Sequence, residues 1–168
     1  MDITLFTNGH KSILASSNGQ VYTLDSALIF QDPDLFKDRF TYQIKRLFNI
    51  QDLSAIDNVV FAITGLINSK NNTILKTYLL NDVSRTRVFD WFNFNEVLKY
   101  VFDSSKIFLV NDAFATTIGV LNTLDNIKLP SVILTLNDGI GVGVIDSSNN
   151  IISLEWGGDF VKSIGMSV

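Results

Sequence analysis

The 168-residue sequence contains no cysteine, which removes disulfides, thiolate nucleophiles and cysteine–metal sites together. Its single histidine, His10, cannot build a histidine-rich metal site and marks no Ser-His-Asp relay; in its turn it is expected to be solvated. Basic residues are sparse and scattered: of thirteen Lys and Arg, only Lys45-Arg46 are adjacent. No basic stripe exists to track a phosphate backbone, so nucleic acid is not an expected partner. No run of about 18 apolar residues exists either, so no membrane partner is expected. The start, Met1-Asp2-Ile3-Thr4, lacks the basic and apolar segments of a signal peptide. A soluble, cytoplasmic protein is the expectation.

What the chain does have is apolar mass. Hydrophobic residues make up 46% of it, thirteen of them phenylalanine, at a net charge of −4. That composition builds a core and does not describe a disordered chain. Asn8-Gly9 and Asn18-Gly19 separate three short apolar runs, Ile3 to Thr7, Ser12 to Ala15 and Val21 to Leu24. Asn-Gly pairs tolerate the positive φ that tight hairpins need, so a β-meander opens the chain. Asp32-Pro33 then reads as a capped helix start, followed by Phe36, Phe40, Ile44, Leu47 and Phe48 at helical spacing. Val59 to Ile63 and Ile107 to Val110 read as buried strands. Thr73 to Leu80 reads as a strand, Arg85 to Phe94 as an irregular aromatic segment and Asn95 to Phe102 as a helix; Trp91 and Phe92 fit a core or interface. Ala113 to Leu124 suits a helix, and Val132 to Leu136 a strand after Pro130. A glycine turn, Gly139 to Gly143, precedes a last strand near Ile151 to Leu154. Mixed strands with crossing helices predict a three-layer α/β architecture.

Three segments could carry chemistry. Asn111-Asp112 ends a strand where a helix begins, the usual crevice position in an open α/β sheet. There Asp112 could accept the proton of a hydroxyl nucleophile, worth roughly 10²–10⁴ in rate, or simply cap the helix. Asn137-Asp138-Gly139-Ile140-Gly141-Val142-Gly143 could cradle phosphate oxygens on its amides, or be a glycine-rich hairpin with a bulge. Asp138 beside a bound phosphate would call for Mg²⁺ between them. Glu155-Trp156-Gly157-Gly158 pairs a carboxylate with an aromatic, as sugar sites do, and is equally an ordinary loop.

Taken in order, these segments resemble the bacterial glucokinase/ROK sugar kinases over nearly the whole chain. Asn111-Asp112-Ala113 looks like their Asn-Asp element, Asn137 to Gly143 like their second phosphate loop, and Glu155-Trp156-Gly157-Gly158 like their Glu-Gly-Gly-His element. Val59 to Asn68 is similar to their strand-and-turn segment. The resemblance implies an α/β fold of the ribonuclease H-like, actin-like ATPase type, a mixed sheet with an opening β-meander and flanking helices. It implies a small first lobe over residues 1–110 and the beginning of a second lobe over 111–168. It implies Asp112 as general base, Asn111, Glu155 and Asn81 as sugar contacts, and Asn137, Asp138, Gly139, Gly141 and Gly143 as phosphate contacts. ATP with Mg²⁺ would be the donor, a hexose the acceptor, and no structural zinc is implied. The departures are specific. The family's Asp-x-Gly-Gly-Thr loop is absent from Asp2 to Gly9, Thr64 replaces Pro, Val142 replaces Gly, and Gly158 replaces the sugar-binding His. The chain also stops where family members continue, which implies a homodimer or a complementary second half. An inactive relative that binds a sugar or a protein partner is the alternative function, and a plain structural domain a third.

Overall fold

The computed structural model describes residues 1–8, 10–77, 89–103, 106–136 and 140–156. The chain forms two compact units, Met1–Val110 and Asn111–Val168. In the first, β1 (Asp2–Asn8), β2 (Lys11–Ser16) and β3 (Val21–Asp25) form the antiparallel meander. Gly19 takes a φ of 84° in the β2–β3 turn, the conformation that glycine adopts without steric cost. β4 (Asn58–Ile63) runs parallel to β1, and β7 (Ile107–Asn111) closes the sheet in the order β3-β2-β1-β4-β7.

One face of this sheet is covered by short α1 (Ala27–Phe30) and by α2 (Pro33–Phe48). Asp32 caps α2 by accepting a hydrogen bond from the Asp34 amide at 2.9 Å, and Pro33 occupies the first turn, where its missing N–H is no loss. Asn49 ends the helix at a φ of 54°. Phe36, Phe40, Ile44 and Phe48 face inward against Ile3, Leu5, Leu14, Phe61 and Leu109. The core is aromatic: the ring of Phe36 meets those of Phe30, Phe40, Phe61, Phe89, Phe92 and Phe94. Each such pair is worth about 0.5–1.5 kcal/mol beyond area burial. Within each unit the described helices lie on one sheet face only.

A hairpin of β5 (Gly65–Asn68) and β6 (Thr73–Thr77) follows β4. Gly65 sits at a φ of 142°, and a Cβ there would lie 2.4 Å from the Lys76 carbonyl oxygen, so no larger residue fits. The tip of this hairpin does unusual work. Asn72 donates from Nδ2 to the Ile107 carbonyl at 2.7 Å, and its Oδ1 accepts from the Leu109 amide at 2.9 Å. A side-chain carboxamide thus stands in for a neighbouring strand along β7, satisfying groups that an edge leaves open.

Two local expectations are corrected. The helix after the aromatic segment, α3 (Phe94–Leu98), is shorter and begins earlier than Asn95 to Phe102. Its last residues turn instead, with the Val101 amide bonded to Leu98, which brings Phe102 into the core. Phe92 is core, but Trp91 is 73% exposed at a φ of 67°. The strand from Thr73 is described to Thr77; residues 78–88 lie outside the described set. His10 is exposed. Among the described residues no helix is long and apolar enough to cross a membrane.

Replacing Asn72 with Ala should leave the Ile107 carbonyl and Leu109 amide buried and unpaired, at about 2–4 kcal/mol in total. Urea unfolding should show a lower midpoint at unchanged m-value; an unchanged midpoint would refute this bracing of β7.

Candidate functional site

The second unit is built from α4 (Asp112–Thr123) and three antiparallel strands, β8 (Ser131–Leu136), β9 (Ile140–Ile145) and β10 (Ile151–Trp156). β9 lies between the other two, and α4 packs across all three. The helix starts where Asn111, extended at φ −73° and ψ 145°, places its Oδ1 to accept from the amides of Ala113 at 2.9 Å and Phe114 at 3.2 Å. Asn111 is therefore the capping residue, and Asp112 is the first residue of the helix rather than its cap. A carboxylate in a helix's first turn sits in the favourable end of the macrodipole. Asp112 is 5% exposed and also accepts the Ala113 amide, at 3.0 Å.

Gly141 and Gly143 lie in the strand, not in a turn. The β8–β9 register runs unbroken from Ser131↔Ile145 to Leu136↔Ile140 with no bulge, and β10 pairs equally continuously on the other side. In a central strand the backbone donors and acceptors are committed to ladders on both flanks. The glycines serve the helix. A Cβ on Gly141 would lie 2.7 Å from the Cβ of Ala113, and one on Gly143 would lie 1.7 Å from Oγ1 of Thr117. Those side chains of α4 occupy the space that alternate glycines leave on β9.

This packing brings segments far apart in sequence to one end of the unit. Gly141 is directly opposite Thr135 on β8 and Glu155 on β10, and Ala113, next to Asp112, rests on the same glycine. Asn111, Asp112, Gly141 and the backbone position of Glu155 thus share one end. Gly143 lies one row further along the strand, and Glu155 belongs to β10 rather than to a loop after it. Asn81, Asn137, Asp138 and Gly139 lie outside the described residues. One residue of this row carries no sequence motif: Thr135, the only polar side chain in Val132-Ile133-Leu134-Thr135-Leu136. Its Oγ1 is buried and has no hydrogen-bond partner. A hydroxyl inside the apolar run Val132 to Leu136 was the available signal.

In the first unit, the ends of β1 and β4 are tied together by threonines. Thr7 Oγ1 donates to the Ala62 carbonyl at 3.4 Å, Thr64 Oγ1 to Thr7 at 3.1 Å, and Thr77 Oγ1 to Thr64 at 3.0 Å. Among the described residues no group of three or more His, Asp or Glu is placed to hold a metal ion. In the β9–β10 turn, Asp146 accepts from the Asn150 side chain at 2.9 Å and from the Ser148 and Asn150 amides, each at 2.8 Å. The Asn150 side chain first, then these amides, hold the Asp146 carboxyl below the usual aspartate range.

No protein-family model and no curated protein matches the sequence. Solved structures do match the fold. A protein assigned as a sugar kinase from Cytophaga hutchinsonii aligns over 93% of this chain at a TM-score of 0.62 and 16% identity. Glucokinase from Balamuthia mandrillaris, solved in complex with glucose, aligns over 92% at 0.59 and 15%. A ROK-family transcriptional regulator homologous to the E. coli MLC protein aligns over 92% at 0.56 and 17%. The chain spans 51%, 47% and 39% of those three chains, respectively. It therefore has the mixed-sheet α/β fold of the sugar kinases, the actin-like ATPase fold, over about half their length.

Two outcomes follow from this unit. Gly143→Ala should lower the melting temperature by several degrees, and adding Thr117→Gly, which removes the clashing side chain, should restore most of the loss. A pair that sums without coupling would mean that α4 is not seated on β9 in this way. For Asp146 the folded pKa is depressed, so its contribution is present above the unfolded value of about 3.9 and is lost as pH falls through the lower folded value. Carboxyl NMR titration should place its midpoint below that of a free aspartate, and Asn150→Ala should raise it.

Proposed function

We propose that this chain is a hexose-recognising domain of the sugar-kinase fold, with Asp112 as the carboxylate that receives a sugar hydroxyl. Asn111 and Glu155, from the same end of the unit, supply further polar contacts. The observation that carries the reading is the seating of α4 on the glycines of β9. It holds the Asp112 turn against the row in which Gly141 and Glu155 stand. The fold likeness to a glucokinase solved with glucose supports the choice of ligand class.

A kinase role is the second reading, favoured by the burial of Asp112 at a helix start. A carboxylate there, hydrogen-bonded to a sugar hydroxyl, can take the proton as that oxygen becomes nucleophilic. The donor expected with this fold is ATP with Mg²⁺. Gly141 and Gly143 do not fit a phosphate cradle, because their backbone is committed to ladders and their open side is filled by Ala113 and Thr117. No transfer step is assigned to them.

Calorimetric titration with glucose and N-acetylglucosamine should show binding that Asp112→Asn weakens by about tenfold or more, as loss of a charged hydrogen bond does. Glu155→Ala should weaken it as well. Absence of binding by the wild-type chain to any hexose would end the sugar reading. ADP release from ATP and Mg²⁺ that depends on hexose and disappears in Asp112→Asn would favour the kinase over the binding module.

A further inference from the structure

We infer that the open face of the first unit's sheet is the contact surface of a reversible dimer, in which two copies of this chain stack those faces about a two-fold axis. The contact does not depend on the sugar reading. Strand alternation divides the sheet into two faces. Ile3, Leu5, Leu14, Val59, Phe61 and Leu109 look toward α2 and are buried. The residues between them look the other way, and there Ile13, Val21 and Phe108 are 38%, 62% and 45% exposed. Thr4 and Phe6 lie beside Ala15 and Ile13 in the β1–β2 register, and beside Val60 and Ala62 in the β1–β4 register. No described helix covers these rows. A sheet with one face in water normally alternates apolar with polar residues, whereas here both faces are apolar in the middle. A contiguous apolar patch rimmed by polar groups marks a contact surface.

Charge chooses the occupant. Asp2 stands at one end of this face. Lys11 stands at the other, beside Asn8, about 20 Å further along β1. Asn58 Nδ2 donates to Asp2 Oδ1 at 2.7 Å, but no basic group pairs with that carboxylate. Among the described residues the ion pairs are Met1 with Asp57 and Lys37 with Asp38. Asp25 is opposite Lys11 on β3, yet its Oδ1 accepts from the Ala27 amide at 2.9 Å, and it forms no ion pair with the lysine. A two-fold axis lying across the strands reverses their direction in the second copy and lays β1 and β2 over themselves. Asp2 of each copy then meets Lys11 of the other, as an isologous contact requires. A groove of about 500 Å³ at the Asp2 end, lined by Asp2, Thr4, Ala15, Asn58, Val60 and Phe108, gives Lys11 and Ile13 of the second copy a place to enter. Five strands about 4.8 Å apart, each roughly 17 Å long, project to roughly 400 Å² per copy. That is below the roughly 800 Å² per partner of a stable interface, so the dimer is reversible and not obligate.

Sedimentation equilibrium of the full chain tests this contact. The average mass should rise from monomer toward dimer with concentration. Lys11→Asp and Asp2→Lys should each weaken association by about tenfold. The two together restore opposite charges across the contact and should recover most of the loss. Ile13→Asp, at an exposed position that the fold does not need apolar, should weaken association further. A wild-type chain that stays monomeric up to about 0.5 mM would overturn the proposal and leave the face to a different chain. A dimer that keeps its affinity in Ile13→Asp, or charge reversals that the double variant fails to rescue, would overturn it as well.

Discussion

Helix α4 can lie on β9 only because two positions of that strand have no side chain. Thr117 would be 1.7 Å from a Cβ at Gly143 and Ala113 would be 2.7 Å from one at Gly141, distances that no adjustment of a close-packed layer absorbs. The seat fixes both how near the helix comes and how far along the strand it sits. The position of the Asp112 turn along the sheet descends from it. The first unit solves the same problem differently. There α2 is held off the sheet by a layer of phenylalanine rings, Phe36 and Phe40 against Phe61, a thicker contact that accommodates change through side-chain shifts. Small residues between helix and strand give the second unit a tighter and less forgiving register.

The elements that local chemistry specifies were legible in the sequence. Asn18-Gly19 makes a turn because its glycine takes a positive φ, and Asp32-Pro33 starts a helix because one residue caps and the other lacks an N–H. The runs around Val59 and Ile107 are strands with a buried face. What failed did so because the deciding partner lies elsewhere in the chain. Glycines at alternate positions read equally as a loop that approaches a ligand or as a strand beneath a helix, and only Ala113 and Thr117 distinguish them. Either Asn111 or Asp112 can cap a helix. The choice fell to the residue whose backbone is still extended, which composition does not reveal. Trp91 looks like a core residue by type, yet its neighbours Phe89, Phe92 and Phe94 fill that core and turn it outward. Asn72 gives no local hint that its carboxamide serves as a strand for β7.

The start of α4 also bears on what kind of ligand suits it. A bare helix N-terminus attracts anions through its unpaired amides. Here the Ala113 and Phe114 amides are taken up by Asn111 and Asp112 from within the chain, and a carboxylate already occupies the favourable end of the dipole. A phosphate brought to this end would find donors engaged and a negative charge in place, a repulsive pairing in so buried a setting. Neutral hydroxyls, which can donate to a carboxylate oxygen, meet no such repulsion. The same first-turn hydrogen bonds that stabilise the helix thus leave few free donors for an anion at the Asp112 turn.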